Sequence, residues 1–100
     1  MNKRQLIVLC LFAAGGVMQA QQWPNTPVEA RPGARWWWLG SAVDEKNLTY
    51  NLEEYARTGM GAVEITPIYG VQGNDANEIQ FLSPRWMEML KHTQAVSYTH

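Results

Sequence analysis

A carboxylate set between two branched aliphatic residues, in "AVEIT" at Ala62 to Thr66, is the first position in this chain that could carry chemistry. On a β-strand, Glu64 would point away from Val63 and Ile65. A carboxylate held on a covered strand must be paired or face a polar pocket, because an unpaired buried charge costs several kcal/mol. Arg35, on an earlier apolar stretch, is the evident partner. Two roles for Glu64 stay open, a structural ion pair and a contact to substrate. A role as general acid or base is disfavoured, because Arg35 would neutralise it.

The second candidate is the triplet in "ARWWWLG", Ala34 to Gly40. An indole is a large apolar surface with one N–H to satisfy. Three in a row can pack a core, or they can offer flat faces on which a sugar ring stacks. In a strand Trp36 and Trp38 face one way while Arg35 and Trp37 face the other. Packing is the expected role of most of the triplet. Trp38 is the expected exception, lying nearest the end of its strand. Thr66, Tyr69 and the loop acids Asp75 and Glu78 follow the second strand and would share that rim, unless the loop is simply solvated. The substrate-binding residues expected from sequence are therefore Trp38, Glu64 and Tyr69. His92 has no second His or Cys at ligand spacing and reads as a surface residue. No phosphate loop, zinc spacing or nucleophile elbow occurs.

The elements that must position these residues can be read from pattern. Glycines bound the Trp stretch and aromatics fill it, which favours a short strand apolar on both faces, the habit of parallel sheets covered by helices. Leu48, Leu52, Tyr55 and Ala56 then form a helical stripe. Ser41 or Asp44 can cap its start, and Gly59 and Gly61 end it. A second strand, Ala62 to Thr66, is expected to stop at Pro67. "SPRWMEMLKHTQA" opens a second helix with Ser83 at the N-cap and Pro84 in the first turn, and Trp86, Met89 and Leu90 on its inner stripe. Strand, helix, strand, helix at about 28 residues per unit suits an α/β class and the first two β/α units of a (β/α)8 TIM-like barrel. Such a barrel needs roughly 250 residues, so the chain is expected to be an incomplete piece of one.

Residues 1–20 are expected to be a secretory signal peptide: a cationic start at Lys3 and Arg4, an apolar run from Leu6 to Val17, and the small residue Ala20 at the cleavage point. The run is too short for a membrane span of about 20 residues. Cleavage would remove the only cysteine, Cys10. Six of the eight basic residues would then remain against nine acidic ones, a net charge of −3. This excludes a disulfide scaffold and disfavours nucleic-acid binding. A bacterial periplasm or cell surface is the expected location, with no membrane attachment after cleavage. Residues 21–33, with Pro24, Pro27 and Pro32, read as an extended leader, and 34–95 as the N-terminal part of the barrel. Residues 96–100, "VSYTH", change to β-formers without a stop signal. One spelling of those five residues matches a transposon-end sequencing adapter, so native sequence is expected to end near Ala95.

The run from Arg35 to Gly40, joined through an acidic helix to "GMGAVEI" at Gly59 to Ile65, resembles the entry into the catalytic barrel of inverting α-L-rhamnosidases, glycoside hydrolase family 106. The "SPRW" helix start fits as well, and the resemblance extends over about 31–95. It implies a large exported glycosidase that removes terminal L-rhamnose from oligo- or polysaccharides with inversion. It also implies calcium at the sugar site, with ligands outside this stretch. The family's two catalytic carboxylates lie on later strands, so no catalytic residue is assigned here. The main alternative is a non-catalytic carbohydrate-binding protein using the Trp-rich strand; two amphipathic helices count against it. A complete small α/β domain is a third, and fails on its unpaired strand edges.

Overall fold

The computed structural model describes residues 2–3 and 21–99. The expected signal segment, apart from positions 2 and 3, lies outside the described residues, as does His100. Among the described residues no helix is long and apolar enough to cross a membrane.

The proline-rich leader is extended and exposed, closing in a single 3-10 turn at Val28–Ala30. Strand β1 then runs over Gly33–Leu39, helix α1 over Glu45–Arg57, strand β2 over Ala62–Ile68 and helix α2 over Pro84–Ser97. The two strands are parallel, in a register that sets Arg35 beside Glu64, Trp37 beside Thr66 and Leu39 beside Ile68. Two parallel strands joined through a helix, with a second helix packed on the first, make an α/β arrangement.

Local chemistry explains the boundaries. Of the two caps that the sequence allows for α1, Asp44 serves: its Oδ1 accepts from the Asn47 N–H at 2.9 Å. Ser41 is used elsewhere. The helix ends in a Schellman turn, with the Gly59 N–H donating to the Ala56 carbonyl and the Met60 N–H to that of Tyr55. Gly59 sits at φ 93°, where a side chain would be strained. At the start of α2, the Ser83 Oγ accepts from the Trp86 N–H, and Pro84 occupies the first turn.

Two expected ends move. β2 does not stop at Pro67 but continues through Ile68. The Ile68 carbonyl accepts from the Gly40 N–H, so the neighbouring Pro67 turns its missing N–H to the opposite edge, where β1 needs no donor. Helix α2 likewise runs past Ala95, and Val96 is half-buried against the core. That contact outweighs the few tenths of a kcal/mol by which valine disfavours a helix, roughly.

The core lies between the sheet and the helices: Trp36, Trp38, Leu48, Leu52, Trp86 and Met89. Its aromatic rings form one continuous edge-to-face row. Tyr55 meets Trp36 at 5.7 Å, Trp36 meets Trp38 at 5.9 Å, Trp38 meets Trp86 at 5.9 Å and Phe81 meets Trp86 at 5.0 Å between centroids. Edge-to-face pairs of this kind add to the energy of burial. The Trp86 Nε1–H donates to the buried Ser41 Oγ at 3.0 Å, whereas the buried Trp38 Nε1 finds no partner among the described residues.

His92 is half-buried, not a surface residue. Its Nε2 lies 2.7 Å from the Thr49 Oγ1 and 3.0 Å from the Glu45 carbonyl, fastening α2 to α1. Arg85 makes a second link between the helices, pairing with Glu45 at 3.1 Å and with Glu88 at 3.4 Å.

Candidate functional site

Strand alternation divides the sheet into two faces of unlike chemistry. Trp36 and Trp38 lie under the helices. The opposite face carries Arg35, Trp37 and Leu39 from β1 and Glu64, Thr66 and Ile68 from β2. No helix covers it, and Trp37 is 61% exposed. The register brings Arg35 and Glu64 together as expected, with the Arg35 Nε donating to the Glu64 Oε2 at 3.3 Å. Both side chains are about two-thirds exposed, at 64% and 67%, so the pair adds little to the stability of the chain as it stands.

A different set of residues gathers where both strands end. Gly40, Ser41, Pro67, Ile68, Tyr69, Gly70, Glu78, Ile79, Gln80 and Phe81 surround an open cavity of about 430 Å³. The backbone is tied there on two sides. The Gly40 N–H reaches the Ile68 and Tyr69 carbonyls at 2.9 and 3.2 Å, and the Ile79 N–H reaches the Gly40 carbonyl at 3.1 Å. Gly40 and Ser41 are consecutive left-handed residues, at φ 61° and 49°. Such a backbone is strained for serine, and such strain gathers at functional sites. The hydrogen bond from Trp86 holds Ser41 in place. The aromatic row of the core thus ends at the cavity, in Phe81 and in the residue that Trp86 fixes.

Of the three residues expected to meet a substrate, only Tyr69 lines this cavity, with its ring 83% exposed. Trp38 does not present a face to a ligand: it is 1% exposed, packed between Trp36 and Trp86. The indole that is open on the sheet is its neighbour Trp37. Glu64 is the third of seven residues in β2, about 13 Å along the strand from Ile68 at the cavity. That distance and its Arg35 partner favour the structural pair over the substrate contact. Thr66, beside Trp37, turns its hydroxyl back to the Glu64 carbonyl at 3.3 Å.

Sequence pattern singles out neither Gly40 nor Gly70 as parts of a site, yet they shape the cavity. A Cβ on Gly40 would stand 2.7 Å from the Glu78 Cγ, and one on Gly70 would collide with the Glu78 carboxylate. The signal available in sequence was only that both follow strands. Asp75 lies in a short 3-10 turn, exposed, and does not line the cavity.

No group of three or more His, Cys, Asp or Glu side chains is close enough to hold a metal ion among the described residues. The clear carboxylate perturbations lie away from the cavity. Hydrogen bonds from the Asn47 backbone and side chain hold Asp44 below the usual aspartate range. The bond from its own N–H, and then Arg85, hold Glu45 below the usual glutamate range. The Asp44 effect is helix capping, and the Glu45 effect adds the cross-helix pair with Arg85. Compared with family models, curated proteins and solved structures, the chain matches none.

Proposed function

We propose that this chain opens the catalytic (β/α)8 barrel of an exported inverting glycosidase that removes terminal α-L-rhamnose from oligo- or polysaccharides. The observation that carries the proposal is the pair of parallel strands whose helices cover one face only. The uncovered face bears an ion pair, Arg35–Glu64, and a large indole, Trp37, in layers across the two strands. Layers contributed by neighbouring strands are how a barrel interior is filled, and barrel sites are built at the C-terminal strand ends. The cavity at Gly40, Tyr69 and Glu78 has that position. The resemblance of Arg35 to Gly40 and Gly59 to Ile65 to the rhamnosidase entry supplies the substrate class.

On this reading residues 1–20 direct export to the periplasm or cell surface, and residues 34–95 are the first two barrel units. An inverting glycosidase needs an acid and a base roughly 6.5–9.5 Å apart with a water between them. Glu64 is the one strand carboxylate among the described residues, and Arg35 engages it. The resemblance assigns the catalytic pair to later strands. Arg35 and Glu64 brace the barrel interior, and Tyr69 contributes to the wall of the sugar site. The alternative of a binding protein using the Trp strand would have to rest on Trp37 alone, because the other two indoles are core.

The test is time-resolved NMR of the sugar released by the complete protein from an α-L-rhamnoside. Release of β-L-rhamnose first is expected. Initial release of the α-anomer, or no action on any rhamnoside, overturns the proposal.

A further inference from the structure

We infer that Glu78, seated in the notch between Gly40 and Gly70, is a sugar-binding residue whose carboxylate accepts hydrogen bonds from a neighbouring pair of substrate hydroxyls. The inference rests on the proposed function and assigns a ligand contact within it.

Four observations converge on this side chain. The first is space. The Glu78 Cγ and Oε1 would lie 2.7 and 2.8 Å from a Cβ on Gly40, and a Cβ on Gly70 would strike Oε1 directly. The carboxylate occupies room that exists only because both strand ends carry glycine. The second is anchoring. The Ile79 N–H bonds the Gly40 carbonyl at 3.1 Å, fixing the residue next to Glu78 to the end of β1.

The third is availability. The Glu78 backbone N–H bonds the Asp75 carbonyl at 3.2 Å, but its exposed carboxylate makes no hydrogen bond or ion pair with any described residue. An ionised carboxylate has about four lone-pair sites, all of them acceptors. It is therefore matched to a ligand rich in O–H donors. The fourth is the wall. The rings of Tyr69 and Phe81, 83% and 58% exposed, line the same cavity. Apolar ring faces beside a carboxylate suit a pyranose, which presents C–H faces and hydroxyl edges together. A cation is the other ligand a carboxylate attracts, but no set of three metal-ligating side chains stands here among the described residues.

No second carboxylate lines the cavity among the described residues, so the role of Glu78 is to hold the sugar. Its loss should appear in binding. The experiment uses the complete protein and an aryl α-L-rhamnoside, with KM and kcat measured separately for wild type, Glu78→Gln and Gly70→Ala. Glu78→Gln keeps the shape and removes the charge. Gly70 lies outside the left-handed region, so alanine can adopt its backbone while its methyl displaces the carboxylate. A hydrogen bond to a charged group corresponds to a change of about ten- to hundredfold. KM is expected to rise by that factor in both variants while kcat and the melting temperature hold. An active wild type with unchanged KM in Glu78→Gln overturns the inference and leaves the proposed function standing. So does a fall in kcat at constant KM. A wild type inactive on every rhamnoside overturns the functional reading, and the sugar assignment falls with it.

Discussion

Trp37 and Trp38 are neighbours in the chain and opposites in the fold. Trp38 is closed between Trp36 and Trp86 beneath the helices, while Trp37 stands 61% exposed above Thr66 on the uncovered face. The same residue type thus does two jobs one position apart, and strand alternation alone separates them. The helical side holds the chain together by burial and edge-to-face contact. The other side is polar at Arg35 and Glu64, and apolar at Trp37, Leu39 and Ile68. In the proposed barrel that face is inner wall and needs the remaining strands to cover it.

The sharpest way to break the comparison is to truncate the buried indole. Trp38→Ala in the complete protein should cost about 3–5 kcal/mol, read from the urea midpoint at constant slope. Trp38→Phe should cost clearly less, because it keeps a ring and also removes an N–H that has no partner among the described residues. If Trp38→Ala were nearly neutral, the division of the two faces would be wrong.

A smaller effect is expected from the helix that covers the core. Ser83→Ala removes the cap on the Trp86 N–H and should cost about 1 kcal/mol. Turnover per folded molecule should not change, since Ser83 lies outside the cavity. A large loss of turnover at unchanged stability would place Ser83 against the substrate and redraw the boundary between packing and site.

The smallest effect is a response to acid. Asp44 and Glu45 have native pKa values below their ordinary ones, so each favours the folded state when ionised. That contribution is complete above the ordinary carboxylate values, around pH 4, and is lost as pH falls through the lowered native values. Both groups are exposed, so the change should be slight and local. Amide exchange at the first turn of α1 should speed up below about pH 4 while the β1–β2 ladder stays protected. Simultaneous loss of both would show that the caps support the whole core.

The sequence makes part of this legible. Ser83-Pro84 and the stripe at Leu48, Leu52 and Tyr55 mark the helices, because caps and periodicity are local properties. Arg35 and Glu64 could be paired in advance, since each is the one charged residue on its strand. The facing of the triplet was harder. Alternation says that Trp36 and Trp38 share a face, but three identical residues do not say which face the helices take. Ser41 looked like a helix cap and instead holds the Trp86 indole, 45 residues away, a contact that no local pattern encodes. The Glu78 notch was hidden for the same reason. It depends on two glycines 30 positions apart meeting at one strand end, and only the parallel register brings them together.

The central claim is that further barrel strands cover the face bearing Trp37, and residue-resolved hydroxyl-radical footprinting tests it most directly. The experiment compares residues 21–100 alone, dilute enough to stay dispersed, with the complete protein. Trp36 and Trp38 should be protected in both, whereas Trp37 should be oxidised in the short chain and protected in the complete one. Trp37 oxidised equally in both would contradict the barrel.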